Sequence, residues 1–194
     1  MRIQFLLFDG FETLDLFGPV EILNRLPEAA PHYLSVSGGG VVSAQQTRIH
    51  TERLEVKGGI LLVPGGRGTR SLVHDAAFLA ALRTAGLAAE YVLSVCTGSA
   101  LLAAAGLLDG RQATSNKRAL GWVKSVGRHT RWIDRARWTV DGPFYTSSGV
   151  SAGMDMCLGF IRDTYGDRTA RDIAQAVEYV WNDDPTRDDF ALPA

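Results

Sequence analysis

Cys96 has the setting of a nucleophile. It follows the short apolar run 91–95 and precedes Thr97-Gly98-Ser99, which opens a helical stretch reaching about residue 105. A sharp strand-to-helix turn holds a side chain clear of the sheet, as at a nucleophile elbow. The free amides and dipole of a helix start favour thiolate over thiol, so the context predicts an ionised, reactive sulfur. Thr97 sets a hydroxyl beside it. The competing reading of a free cysteine is a small buried core residue. That reading is assigned to Cys157, which lies inside the apolar stretch 154–161.

A thiol of this kind needs a proton-transfer partner, and the loop after the first apolar run carries acids. Asp15 stands at the start of a helix, where its charge is favoured and where it could equally be a cap. Glu12 and Glu21 compete for the acid/base role, and spacing does not rank the three. Pro64-Gly65-Gly66 would set bare backbone amides near the same edge, able to hold an oxyanion. The small-residue run 145–153 contains Ser148 and Gly149 and reads either as a pocket wall or as close packing with a cap at Ser151. Glu12, Asn116, Ser148 and Gly149 are the expected pocket residues. His32, His50, His74 and His129 lie outside these loops and read as surface or packing residues. Metal-ligand spacing is lacking, so no metal is expected, and nucleophilic chemistry at Cys96 would need no cofactor. Gly38-Gly39-Gly40 lacks a phosphate-binding fingerprint and reads as a turn.

The elements that must position these residues alternate. Strands are predicted over 3–8, 32–37, 59–63 and 91–95, with helices over 13–26, 75–86 and 97–105. Pro19 is expected only near the start of its helix. Residues 41–57 read as a small hairpin, 131–134 and 137–140 as strands, and Asp141-Gly142 as a hairpin turn into 144–146. Two helices, 151–165 and 167–181, close the chain, and residues 183–194 read as an exposed tail. This order predicts an α/β protein, a flavodoxin-like three-layer sandwich with a mostly parallel sheet. The 194 residues suit one domain. With 20 basic and 21 acidic residues, the balance gives no case for nucleic acid or membrane. Two cysteines make no disulfide framework, and the apolar start 1–8 reads as a strand rather than a leader, so a cytoplasmic setting is expected.

Taken in order, these segments resemble the ThiJ/PfpI superfamily, which has a class I glutamine amidotransferase-like fold. The resemblance rests on residues 8–19, Val63-Pro64-Gly65-Gly66, Ser94-Val95-Cys96-Thr97-Gly98-Ser99, residues 105–110 and the segment 146–155. Within the superfamily the 14–16 and 96–99 segments look like the isocyanide hydratase group. The resemblance implies Cys96 as nucleophile, Asp15 as its acid/base partner, Thr97 as an assistant and a homodimer acting on a small molecule. Peptidase-like members usually carry His directly after the cysteine, where this chain has Thr97. Hydratase-like members often carry Thr-Thr-His-Trp where this chain has Thr114-Ser115-Asn116-Lys117.

The expected activity is therefore hydration of an isocyanide to an N-substituted formamide through a Cys96 thioimidate. Glyoxalase-type chemistry on an α-oxoaldehyde uses the same nucleophile and is the alternative enzyme. A third reading, a cysteine redox sensor or ligand-binding protein, follows from the same thiol. The superfamily's domain also forms the sensor half of transcription regulators, a role expected to need a separate DNA-binding partner. Trp122, Trp132, Trp138 and Trp181 read as core packing or as a partner surface.

Overall fold

A computed structural model describes residues 1–191. The first half runs β1 (Arg2–Leu6), α1 (Thr13–Leu23), β2 (Ala30–Ser35), β3 (Gly39–Val42), β4 (Arg48–Arg53), β5 (Ile60–Val63), α2 (Thr69–Leu72) and α3 (Ala76–Ala88). The second half runs β6 (Tyr91–Ser94), α4 (Gly98–Ala104), β7 (Gln112–Ala113), a 3₁₀ turn (Lys117–Ala119), α5 (Leu120–Val126), β8 (Arg131–Trp132), β9 (Trp138–Asp141), β10 (Phe144–Ser147), α6 (Ala152–Tyr165) and α7 (Asp167–Ala176).

Eight strands form one sheet in the order β3-β4-β2-β1-β5-β6-β10-β9. The inner pairs are parallel, and only β3–β4 and β9–β10 are antiparallel. The central strands explain the continuous apolar runs. All four residues of β5 are buried, and only Arg2 of β1 is exposed. Such strands are covered on both faces, so they lose the polar alternation of a half-exposed sheet. The result is the mostly parallel, helix-flanked sheet of a flavodoxin-like α/β fold. The carboxyl ends of β1, β5 and β6 are neighbours, and they deliver the loops 7–12, 64–68 and 95–97 to one edge.

Several boundaries differ from the sequence reading. Pro19 is the seventh residue of α1 rather than near its start. Its missing N–H falls four residues after Asp15, where the helix bond to the Asp15 carbonyl would otherwise form. Residues 131–134 do not join the main sheet, because Arg131 and Trp132 pair only with β7. The last helix stops at Ala176 rather than at 181. Tyr179 and Trp181 fold back instead onto Asp155, where the Tyr179 hydroxyl and the Trp181 indole N–H donate at 3.0 and 3.1 Å.

The segment 183–191 is not simply an exposed tail, for the Asp188 side chain is fully buried and the Arg137 amide donates to the Pro185 carbonyl at 2.7 Å. Residues 192–194 of the expected tail lie outside the described residues. The tryptophans serve the interior. Trp138 is buried, and Trp122, Trp132 and Trp181 pack against the core. Among the described residues no helix is long and apolar enough to cross a membrane.

Candidate active site

Cys96 follows β6 after one residue and takes φ +57°, the left-handed region that non-glycine residues rarely enter. Holding it there costs of order 1–3 kcal/mol, so the surroundings must impose it. They do so through both backbone groups. The Cys96 amide donates to the Ser148 carbonyl at 3.2 Å. The Cys96 carbonyl accepts the Ser99 and Ser115 hydroxyls at 3.0 and 2.8 Å. Gly98 allows α4 to start this close to β5, because a Cβ there would meet the carbonyls of Val63 and Pro64.

Asp15 sits in the first turn of α1 and is completely buried. It does not cap its own helix. Its Oδ2 instead accepts the Gly65 amide at 2.9 Å, and its Oδ1 has no hydrogen-bond partner. Burial pushes its carboxyl up to about 7, and the nearby Glu12 charge adds to the rise. The Gly65 amide and the Cys96 thiol act in the opposite direction.

The expected thiolate is not what the geometry gives. Burial and the Asp15 carboxylate push the Cys96 thiol well above the ordinary thiol range. The Thr97 amide and hydroxyl and the Val150 amide work against that rise and favour the thiolate, but they do not outweigh it. The helix start therefore supplies favourable contacts from Thr97, but burial outweighs them. Burial thus favours the neutral thiol beside a carboxyl pushed up to about 7, an arrangement in which the carboxyl could take the thiol proton.

The glycine amides are also not bare. Gly65 donates to Asp15, and Gly66 donates to the Thr97 hydroxyl at 3.0 Å, so both hold catalytic candidates rather than waiting for an oxyanion. A Cβ on Gly65 would stand 2.6 Å from the Thr97 nitrogen and 2.9 Å from Asp15 Oδ2. The Thr97 hydroxyl also receives the Thr69 hydroxyl at 3.1 Å, and the Glu12 amide donates to the Gly65 carbonyl at 2.9 Å. Three loops are laced together in this way around one sulfur.

Of the competing acids, Glu12 is half-buried, and its carboxylate accepts the Gln45 side-chain amide at 2.7 Å. Glu21 is exposed and pairs with Arg25 on the surface of α1. Asn116, Ser148 and Gly149 come together in a cavity of about 300 Å³, also lined by Val150, Ser151 and Phe190. His32 and His50 lie on β2 and β4 toward the far edge of the sheet. His74 and His129 are exposed in turns.

Val150 is the residue that sequence reading missed. It takes φ +51°, a marked outlier for a β-branched side chain. This strain accompanies the amide that favours the Cys96 thiolate. The only signal is indirect, in that Val150 sits inside the serine- and glycine-rich run that reads either as a pocket wall or as close packing. Ser115, which fixes the Cys96 carbonyl, was visible only as part of a departure from the hydratase-like pattern.

The profile of the DJ-1/PfpI family matches residues 1–163. An isonitrile hydratase of Pseudomonas putida is 33% identical over 93% of this chain and 79% of its own length. The transcriptional regulator CdhR of Pseudomonas aeruginosa is 30% identical over 88% of this chain, which spans about half (53%) of that protein. The crystal structure of a ThiJ/PfpI family protein from Pseudomonas syringae superposes with TM-score 0.81 at 30% identity, covering 92% of this chain and 74% of that one.

Proposed function

This chain belongs to the DJ-1/PfpI family, and we propose that it is an isocyanide hydratase that uses Cys96 as nucleophile and Asp15 as acid and base. One observation carries the reading. A buried thiol held at a left-handed elbow faces a carboxyl whose pKa lies near 7. The likeness to the Pseudomonas putida hydratase over most of both chains supports the choice of substrate.

The steps balance without a cofactor. Asp15 takes the thiol proton as the Cys96 sulfur bonds to the terminal carbon of R–N≡C. The same carboxyl returns a proton to that carbon, leaving the thioimidate R–N=CH–S–Cys96. Water adds to the thioimidate carbon with its proton passing to Asp15, the nitrogen is protonated, and the C–S bond breaks. The product R–NH–CHO leaves, and the sulfur regains a proton. Gly65 holds Asp15 in place throughout, while the Thr97 and Val150 amides stabilise charge on the sulfur.

Formamide production from alkyl and aryl isocyanides tests this directly. Wild type turns over, and Cys96→Ala and Asp15→Ala lose turnover. Full activity in Cys96→Ala would overturn the mechanism. Absence of isocyanide turnover would move the search to α-oxoaldehydes, which the same thiol could attack.

A sensor role is the second reading, favoured by the likeness to part of a transcriptional regulator. Intact mass after mild peroxide separates the two. Rapid oxidation of Cys96 without turnover favours the sensor, and a thiol held protonated by burial is expected to oxidise slowly. A homodimer is part of the proposal, with exposed Leu14 and Phe17 of α1 as its apolar face. Light scattering should then give twice 21.0 kDa.

A further inference from the structure

Asp188 is buried although the residues following it are exposed. Its Oδ2 has no hydrogen-bond partner and faces the buried Lys117 ammonium at 3.7 Å. Its Oδ1 faces Arg137 at 3.7 Å and accepts the Phe190 amide at 3.0 Å. Its own amide donates to the Arg135 carbonyl at 3.0 Å. Removing the Asp188 carboxylate would leave the buried Lys117 ammonium without its acidic partner, so the pairing holds the segment in place. Arg137 also reaches the Ser151 hydroxyl at 3.2 Å, so one guanidinium ties the C-terminal segment to the loop beside Cys96.

Phe190 is what this device presents. The residue is 72% exposed, and it lines the same cavity as Asn116, Lys117, Arg118, Ser148 and Val150. Cys96 does not itself line the cavity, but its amide donates at 3.2 Å to the carbonyl of Ser148, a residue of that wall. An exposed aromatic residue that lines a cavity, and whose backbone is held by a buried carboxylate, is placed to receive an apolar group.

We propose that Phe190 is a specificity-determining residue whose ring contacts the apolar substituent of the substrate attacked at Cys96. Lys117, Asp188 and Arg137 are the positioning residues that set it there. The proposal rests on Cys96 as the reacting centre and selects, among isocyanides, those with an aryl or bulky apolar group.

The test compares methyl and benzyl isocyanide as substrates of wild type, Phe190→Ala, Phe190→Leu and Asp188→Asn. In parallel, Cys96 is alkylated with iodoacetamide and with N-phenyl iodoacetamide, and the labelled peptide is identified by mass. Phe190→Ala should raise the benzyl-to-methyl KM ratio about tenfold, by more than it changes kcat. It should also reduce the preference of Cys96 for the phenyl reagent. Phe190→Leu should fall between, and Asp188→Asn should move both ratios in the same direction. A folded Phe190→Ala protein with both ratios unchanged, or shifted toward the aryl compound, would overturn the proposal. The alkylation ratio needs no turnover, so failure of the hydratase reading, seen as activity surviving Cys96→Ala, is distinguishable from failure of this one.

Discussion

Two buried aspartates, Asp155 and Asp15, have surroundings that differ in kind. Asp155 meets Arg137 at 2.7 Å and accepts the Tyr179 hydroxyl and the Asn182 amide at 3.0 and 3.1 Å. Burial still raises its pKa, but a cation and two further donors act against that rise. Asp15 has one backbone amide, an unpartnered second oxygen and a neutral thiol for company. The first carboxylate is surrounded for structure. The second is left under-satisfied, which is costly for folding and useful for moving protons. The difference teaches that burial alone does not mark a catalytic acid. What singles out Asp15 as the candidate is burial without the cation that would fix its charge.

Substitutions can break or sharpen this contrast. The largest effect is expected on the Asp15 side, where Cys96→Ala should abolish turnover while the fold, checked by circular dichroism, persists. Asp15→Asn should slow turnover by about 10²–10⁴-fold, the usual range for a positioned acid/base. The same variant should change stability in a pH-dependent way. The folded Asp15 pKa is raised from 3.8 to about 7, so the stability its protonated form provides is complete below 3.8 and is lost as pH rises toward 7. Asp15→Asn should remove that loss, giving a Tm above wild type at pH 8 and no such gain at acid pH.

On the Asp155 side the same logic predicts structure rather than chemistry. Arg137→Leu leaves a buried carboxylate unpaired and should destabilise by about 3–5 kcal/mol, read from denaturant unfolding. A smaller loss, about 1–3 kcal/mol, is expected for Gly65→Ala, because its methyl group would crowd Thr97 and Asp15 together. That variant should lose turnover as well, whereas Arg137→Leu should act on chemistry only indirectly, through folding and the placement of Phe190. Glu21→Ala, on an exposed surface pair, should change stability by less than about 0.5 kcal/mol and leave turnover intact.

Much of this was legible in the sequence where a local rule carries global information. The buried strands β1, β5 and β6 announce themselves as uninterrupted apolar runs, and their order brings Asp15, Gly65 and Cys96 to one edge. The state of the sulfur was not legible, because the helix start favours thiolate while burial and Asp15 oppose it, and only the folded geometry weighs them. The occupied amides of Gly65 and Gly66 were hidden for the same reason. Val150 shows nothing in sequence of its left-handed backbone. The polar segment 183–191 reads as solvent-exposed until Lys117 and Arg137, both distant in sequence, are seen to enclose Asp188.

The central claim, that Asp15 serves as the base for the Cys96 thiol, is tested most directly by the pH dependence of Cys96 alkylation in wild type and Asp15→Asn. The account predicts a wild-type rate that rises through an inflection near pH 7, where Asp15 ionises. It predicts that this inflection disappears in Asp15→Asn. Superimposable profiles for the two proteins would contradict it.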